Sequence, residues 1–524
     1  MSENFKMVAK TFQGLEGVLS DELTALGATD VQQGRRMVSF TGDKAMLYRA
    51  NLCLRTALRI LVPFYTFESN DADDLYEQVK KYPWEEMLTP ASTFAIDTTV
   101  FSEHFRHSRF VTYRVKDAVA DYFMEREGKR PSIRLNAPDR IFNVHISGSE
   151  VTISLDSSGE PLFKRGWRVA QTEAPINAVL AAGIIKLAGW DGQCDLIDPM
   201  CGSGTFLVEA ALIAANINPG IYRDSFAFQQ WKDYDADLFS ELYDDDSGER
   251  EFTHKIYGSD IMAKAIAISE ANIKRAGVAK YIQLERKALE DWTEAPEKGM
   301  VITNPPYGER LVVGDIESLY QTLGQKIKHV FRGYEAWVIC ADDRELYSNI
   351  GLKASIHYPL LNGDIECELR QYKSFDGSYS EMRERGEHIK NEDFRASERF
   401  ERRPRRDFHD RDERGDRGDR PDRERRPRRE YGDRDDRPRR FDRDRDDRPR
   451  REYHDRDHKP YAERGRDENG DEAHGTWHDR PIHFREPRLG KDAERPIFHG
   501  RRKGWKRRDI DLDNPTQNDP SSEE

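Results

Sequence analysis

Two stretches carry residue types and spacings that can do chemistry. In VITNPPYGER, positions 301 to 310, an apolar run that reads as a buried strand stops on Asn304-Pro305-Pro306-Tyr307. Proline lacks an N–H and fixes its own φ, so two in succession end strand pairing and make a stiff corner. That corner holds Asn304 and Tyr307 in set directions; a plain strand-terminating turn would ask only for an Asx contact from Asn304. In DLIDPMCGSGTFLVEAAL an apolar strand ends at Asp198, and Gly202-Ser203-Gly204 turn the chain into a helix beginning near Thr205. Glycines let the backbone approach a ligand closely, and a helix N-terminus favours an anionic group. The carboxylate of Asp198, just ahead of the turn, suits a cationic one. Leu207 stands where a dinucleotide fingerprint needs glycine, and no Walker lysine follows the loop.

These residues need a scaffold, and the flanking sequence predicts one. From about position 175 helix and strand alternate: INAVLAAGIIKLAGW, DLIDP, GTFLVEAALIAANI, KIYGSD, MAKAIAISEANIKRAG and MVITNPP. This alternation predicts a Rossmann-like α/β fold, a mostly parallel sheet flanked by helices. It closes on ASIHYPLLNGDIECELRQYK, where Asn362-Gly363 between two alternating runs signals a terminal antiparallel hairpin. Ligands of such sheets sit outside the carboxyl ends of the strands. Asp260 ends KIYGSDI and can accept both hydroxyls of a ribose, or cap the helix that follows. Glu290-Asp291, after a short strand near YIQLERKAL, can meet an adenine amino group or stand as a solvated charged loop. Acidic ends on successive strands outline a site for a sulfonium cation, a ribose diol and an adenine. S-adenosyl-L-methionine has all three.

Ahead of that half, residues 15 to 26 read as a helix and 37 to 40 as a strand. From roughly 65 to 155, strands such as TFAIDTTV and EVTISLDSSG alternate with a helix near YRVKDAVADYFMEREG, which predicts a small α+β domain. Between the halves, LFKRGWR sets Lys164, Arg165 and Arg168 around Trp167. Basic residues beside an aromatic suit RNA backbone and base; alternatively this is an inter-domain linker whose tryptophan packs on a core. Ala174-Pro175-Ile176-Asn177, just after it, is placed to help cover the cofactor.

The 524 residues carry a formal net charge of −13, which alone argues against a nucleic-acid partner. The charge is unevenly placed. From about position 390 onward Arg and Asp nearly cancel, in runs such as RRPRRDFHDRDERGDRGDRPDRERRPRRE with almost no aliphatic residues. Such a segment cannot bury enough apolar surface to offset its ordering entropy, so a disordered tail is expected from 376 to 524. It is either a solubilising polyampholyte or, with interspersed Tyr and Phe and RRKGWKRR at 501 to 508, an RNA-contacting arm. Cys53, Cys194, Cys201, Cys340 and Cys367 form no CxxC pair, so neither a zinc site nor a disulfide framework is expected. Met1 to Lys10 lacks the apolar core of a signal peptide, and no run approaches the roughly 18 apolar residues of a membrane span. A cytoplasmic protein that uses neither membrane nor metal is expected.

DPMCGSGTFLVEAAL together with NPPYGERL resembles the class I S-adenosylmethionine-dependent methyltransferases that act on exocyclic amino groups. More narrowly, the chain resembles the THUMP-containing RNA guanine-N2 methyltransferases of the bacterial large ribosomal subunit. GLEGVLSDELTALGA, ANLCLRTALRIL, LFKRGWRVAQTEAPINAVLAAGII, INPGIYRDSFAFQQW and LLNGDIECELRQY are similar to family segments, in the same order, over about the first 375 residues. The resemblance implies a ferredoxin-like element at 1–60, a THUMP RNA-binding domain at 61–160 and a methyltransferase domain at 161–375, with the tail at 376–524. It implies a monomer acting on 23S ribosomal RNA, naked or in a precursor particle. Long family members carry a second, C-terminal methyltransferase domain that modifies another guanine at N7. The Arg/Asp tail stands in that place here, so the second activity is expected to be absent.

The resemblance also implies what the corner does. An exocyclic amine is a poor nucleophile because its lone pair is conjugated into the base. The side-chain oxygen of Asn304 and the carbonyl of Pro305 can accept its two N–H bonds and aim the nitrogen at the methyl group, while Pro306 keeps the corner rigid and Tyr307 offers a flat face to an extruded base. No strong general base is needed. The same corner serves N6-adenine methylation; Gly-Glu-Arg after it and the THUMP-like front half favour guanine in RNA. Enzymes that modify transfer-RNA guanine at N2 share these features. A ribosome-assembly factor acting through its tail would keep the fold only as a platform, against which the intact Gly-x-Gly turn, Asp260 and the corner all argue.

Overall fold

The computed structural model describes residues 4–307 and 313–374. The tail expected from 376 to 524 lies outside the described residues, as do the Gly-Glu-Arg that follow the Asn-Pro-Pro-Tyr corner.

The front half runs β1 (Phe5–Lys10), α1 (Glu16–Ala25), β2 (Thr29–Gly34), β3 (Met37–Gly42), α2 (Lys44–Cys53) and β4 (Arg59–Glu68). It continues through α3 (Ala72–Lys81), β5 (Thr93–Phe101), α4 (Ser108–Glu127), β6 (Ser132–Ile133), β7 (Arg140–Ser147) and β8 (Glu150–Asp156). All its strands join one eight-stranded sheet in the order β2-β3-β1-β4-β8-β7-β5-β6. β4 pairs antiparallel with β1 on one side and β8 on the other. It therefore runs across position 60, where the sequence suggested a division, and one sheet carries both modules. Alternation explains the strands: Phe142, Val144 and Ile146 of β7 face the core, as do Val151 and Ile153 of β8. On α4, Val111, Val115, Ala118, Val119 and Phe123 recur at helical spacing and are buried against them.

The second half runs α5 (Ala178–Leu187), β9 (Asp195–Asp198), α6 (Thr205–Ala214), α7 (Ala236–Asp244), β10 (Ile256–Asp260) and α8 (Ala263–Ala276). Next come β11 (Ile282–Arg286), β12 (Gly299–Thr303), α9 (Val313–His329), β13 (Glu335–Ala341), α10 (Arg344–Asn349), β14 (Ile356–Asn362) and β15 (Ile365–Lys373). The seven strands are ordered β11-β10-β9-β12-β13-β15-β14. β9 through β13 pair in parallel and β15 runs antiparallel to both β13 and β14, the α/β class with a terminal hairpin that the sequence predicted. The hairpin loop is Gly363-Asp364, one residue beyond the expected pair: Asn362 stays paired with Ile365, and Gly363 takes the positive φ. From β9 the chain winds outward through β10 and β11, then returns to β12 on the other side. A crevice opens at such a reversal.

The halves meet through close approaches and buried charge. A Cβ on Gly183 of α5 would stand 2.5 Å from a Leu15 methyl group, so the N-terminal module seats closely there and a larger residue would make Leu15 shift. In the linker, Gly166 has φ +94° and its missing Cβ would stand 2.0 Å from the Tyr222 carbonyl. Arg165, 2% exposed, pairs with Glu209 of α6, 0% exposed, at 3.2 Å. Its remaining donors reach the carbonyls of Arg55 at 2.6 Å and Leu162 at 3.2 Å. Removing one member of such a pair strands the other in low dielectric. Glu209→Ala should therefore destabilise the protein by about 3–5 kcal/mol. A lower urea midpoint would show it, and a midpoint equal to that of the parent would disprove it.

Candidate functional site

The crevice is built at the carboxyl ends of β9, β10 and β12. Asp198 closes β9 and is 1% exposed. Its Oδ1 accepts from the Thr303 hydroxyl at 2.8 Å and from the Met200 N–H at 3.2 Å. Burial pushes the Asp198 carboxyl up to about 7, against the pull of those two bonds, and neighbouring Asp260 pushes the same way. Gly202 and Gly204 both have positive φ, +55° and +73°, so the turn takes the left-handed form that glycine permits. A Cβ on Gly204 would stand 3.0 Å from the Ser269 hydroxyl.

Asp260 closes β10 and is half-buried. Its Oδ2 accepts from the Gly202 N–H at 3.0 Å, which ties the second strand to the glycine turn. Its Oδ1 accepts from the Met262 N–H at 2.8 Å. The helix N-cap is Met262 rather than Asp260, because α8 begins at Ala263. Each carboxylate oxygen thus takes one backbone N–H and keeps further acceptor capacity.

The segment after the linker lies over this turn. Arg168 donates to the Thr205 hydroxyl at 2.9 Å and to the Ile176 carbonyl at 3.2 Å. The Ser203 hydroxyl takes the Thr172 N–H at 2.8 Å. Asn272 of α8 accepts from the Val169 N–H at 2.9 Å and donates to the carbonyls of Ala170 and Ser203, each at 3.0 Å. Ser269, one turn earlier, donates to the Gly202 carbonyl at 2.7 Å. Sequence reasoning missed Ser203, Ser269 and Asn272. A signal was present: polar residues at 269 and 272 share the helical face of Ala265, Ile273 and Ala276, all buried. Asn177, of the segment expected to help cover a cofactor, caps α5 by accepting the Val179 N–H at 2.9 Å.

At the corner, the Asn304 side-chain oxygen is sealed from solvent and has no hydrogen-bond partner among the described residues. The Pro306 carbonyl accepts from the Tyr320 hydroxyl at 3.5 Å. Tyr307 departs from expectation. Its ring is 2% exposed and packed in the core, so it offers no flat face to a base. Its hydroxyl instead takes the Asn362 amide N–H at 2.7 Å, which anchors the corner to the terminal hairpin.

The structure brings Asp198, Gly202, Gly204, Thr205, Asp260 and Asn304 to one crevice edge. Glu290 and Asp291 sit on an exposed turn after β11, and Lys326 donates to the backbone carbonyl of Glu290 at 2.6 Å. The basic cluster is divided. Arg165 is locked in its buried pair with Glu209, Arg168 is spent on the glycine turn, and Trp167 is 0% exposed, as the linker alternative requires. Only Lys164 of the three is exposed, and it pairs with Glu160 at 2.8 Å. Arg165 and the Nη2 group of Arg168 therefore hold the chain in position at the linker.

Comparisons with known proteins agree with this geometry. Residues 6–61 match the RlmL ferredoxin-like domain, 69–156 the THUMP domain, and 165–371 the RMKL-like methyltransferase domain. A ribosomal RNA large subunit methyltransferase K/L of Syntrophotalea carbinolica is 40% identical over 71% of this chain and 54% of its own length. A Synechocystis protein named as a candidate RNA methyltransferase is 37% identical over 70% of this chain and 96% of its own. The chain spans about half the length of the K/L relatives it matches. A candidate methyltransferase solved with S-adenosylhomocysteine superposes with a TM-score of 0.63 at 28% identity, over 72% of this chain and all of that one.

The buried carboxyl makes a pH prediction. An unfolded aspartate titrates near ~3.9. Between that pH and about 7 the folded chain holds a proton on Asp198 that the unfolded chain has lost, so stability falls as pH rises through this window. Asp198→Asn is neutral throughout. Its stability relative to the parent should climb by on the order of 4 kcal/mol from pH 4 to pH 8, measured by urea denaturation. A difference that does not change with pH would mean that Asp198 is ionised across the range.

Proposed function

As the chain belongs to the THUMP-containing class I methyltransferases, we propose that it transfers a methyl group from S-adenosylmethionine to the exocyclic N2 of a guanine in large-subunit (23S) ribosomal RNA. The observation that carries this reading is the Asn304 side-chain oxygen at the crevice edge, a buried acceptor without a donor among the described residues. An unpaired buried acceptor costs about 1–3 kcal/mol, so its retention asks for a reason. An amine N–H of the substrate supplies one.

The residues present fit the cofactor. Gly202, Gly204 and the start of α6 at Thr205 suit its carboxylate end. Asp260 has acceptor capacity left for a ribose diol, and the exposed Glu290 and Asp291 are placed for an adenine amino group. When bound, the cofactor supplies a methyl group on a positively charged sulfur, and that charge is lost on transfer. The protein's part is orientation. Asn304 Oδ1 and the Pro305 carbonyl accept the two N–H bonds of the amine and point its lone pair outward, while Pro306 and the Tyr307–Asn362 bond keep the acceptors still. The amine proton leaves late, to solvent or to the corner.

The front-half sheet, in which residues 69–156 match the THUMP domain, supports an RNA substrate, and the K/L relative's name points to the large subunit. In this reading the protein acts as a monomer on ribosomal RNA, naked or in a precursor particle. Asn304→Ala should lower kcat by roughly 10²-fold or more with S-adenosylhomocysteine affinity unchanged. Nucleoside mass spectrometry of ribosomal RNA from cells lacking the protein should show N2-methylguanosine missing at one large-subunit site, restored by the parent and not by Asn304→Ala. Loss of a transfer-RNA guanine or an adenine mark instead would move the substrate. No altered mark at all would overturn the reading.

A further inference from the structure

A second cavity lies apart from the crevice, where the front-half sheet meets residues 226–234 of the α6–β10 connection. Its volume is about 300 Å³, at the small end for ligand sites. Tyr48 of α2 and Phe228 stack on one wall, ring centroids 4.5 Å apart at 25°. Val62 and Phe64 of β4 line it from the sheet, and Trp231 and Tyr234 complete it. The indole N–H of Trp231 and the hydroxyl of Tyr234 are both sealed from solvent without a hydrogen-bond partner among the described residues. Two orphaned polar groups in one aromatic cavity are costly unless something visits them.

The cavity is not a closed box. It continues past Arg140 and Lys232 into a neighbouring depression of about 420 Å³, lined also by Leu88, Ser92 and Gln230. Arg140 forms no ion pair among the described residues; it donates to its neighbour's carbonyl, Asp139, at 2.7 Å, and burial lowers the pKa of its guanidinium. Among the described residues Lys232 reaches only the Glu86 carbonyl, at 3.4 Å. Lys44 is already neutralised by Asp233 at 3.1 Å. Two cations at the mouth of an aromatic cavity, along a groove that leads away, match one repeat of a single-stranded nucleic acid: a flat base beside a phosphate. Glu86 and Asp139 are carboxylates at this mouth that form no ion pair among the described residues, and they favour a base with an amino group.

We propose that this cavity takes one unpaired nucleobase of the RNA, stacked against Trp231, with the adjoining phosphate on Arg140 and Lys232. The base held here is not the one that is methylated, since none of the crevice residues lines the cavity. Its role is to fix the register of the RNA, so that the target guanine reaches Asn304 from a set distance. The proposal rests on the RNA substrate argued above.

The test uses the full chain and 23S RNA fragments carrying 4-thiouridine. Photocrosslinks mapped by mass spectrometry should fall on residues 226–234. Trp231→Ala should weaken RNA binding by about tenfold or more, because stacking of one base is worth that much. Arg140→Gln and Lys232→Gln should each reduce the slope of log affinity against log salt, and the double variant should reduce it by about one phosphate's share. S-adenosylhomocysteine affinity should stay that of the parent in all three. If Trp231→Ala does not fold, Trp231→Phe and the two glutamine variants carry the test, with thermal midpoints as controls. RNA bound and methylated with crosslinks elsewhere, and variants that bind like the parent, would overturn the cavity proposal and leave the methyltransferase reading standing. No RNA binding by the parent under any salt condition would overturn both.

Discussion

The bond between Thr303 and Asp198 is the constraint on which the crevice depends. It joins the last residue of β12 to the last residue of β9, 2.8 Å apart and out of reach of water. The two strands flank the reversal of the sheet, so this bond fixes the glycine turn and the Asn-Pro-Pro-Tyr corner against each other. A carboxyl at such depth is expensive when ionised, which is why its pKa rises to about 7. Bringing a cationic group close would favour the charged form, so cofactor affinity and the protonation of Asp198 are coupled by the same electrostatics that make the site tight.

Around that bond the polar contacts form a frame rather than a surface. Asp260 holds the Gly202 N–H, Ser269 holds the Gly202 carbonyl, and Asn272 and Ser203 bind the segment that follows the linker. Every main-chain group of the turn engaged in this way is held in direction, which is how a glycine-rich loop becomes a shaped seat. The same segment begins at Arg165, whose guanidinium spans the front half at Arg55, the linker at Leu162 and α6 at Glu209. The front half is therefore docked onto the helix that follows the glycine turn. A displacement of that half would be felt first at the N-terminus of α6, one turn before Glu209.

Under the proposed function, recognition and chemistry divide by element type. The eight-stranded sheet, with helices packed on it, offers broad area; the parallel sheet offers a narrow edge where β9, β10 and β12 end side by side. The α6–β10 connection belongs in sequence to the second half, yet its aromatic residues Phe226, Phe228 and Phe239 pack into the core of the first. It thereby joins the two jobs. Trp231, packed against both front-half cores, marks where they meet.

By itself the sequence determined the local elements and the chemistry of strand ends. The helix–strand alternation, the Gly-x-Gly turn, Asp198, Asp260 and the double proline are all signalled within a few residues, because each reflects a backbone preference or a strand terminus. The class of fold, the terminal hairpin and the crevice edge were legible for that reason. Tertiary structure decided which polar side chains face inward. Arg165 and Arg168 beside Trp167 read equally as an RNA contact or as a linker with a packed tryptophan, and nothing nearby chooses; the partner that buries Arg165 lies 44 residues away on α6. Tyr307 reads as an open ring until Asn362, 55 residues on, claims its hydroxyl. The unbroken sheet through β4 likewise arises from pairing with β8, about ninety residues distant in register at Thr66 and Thr152. Long-range pairing is set by how apolar faces stack and which charges they strand between them, and that information is spread across the chain rather than held at any one place in it.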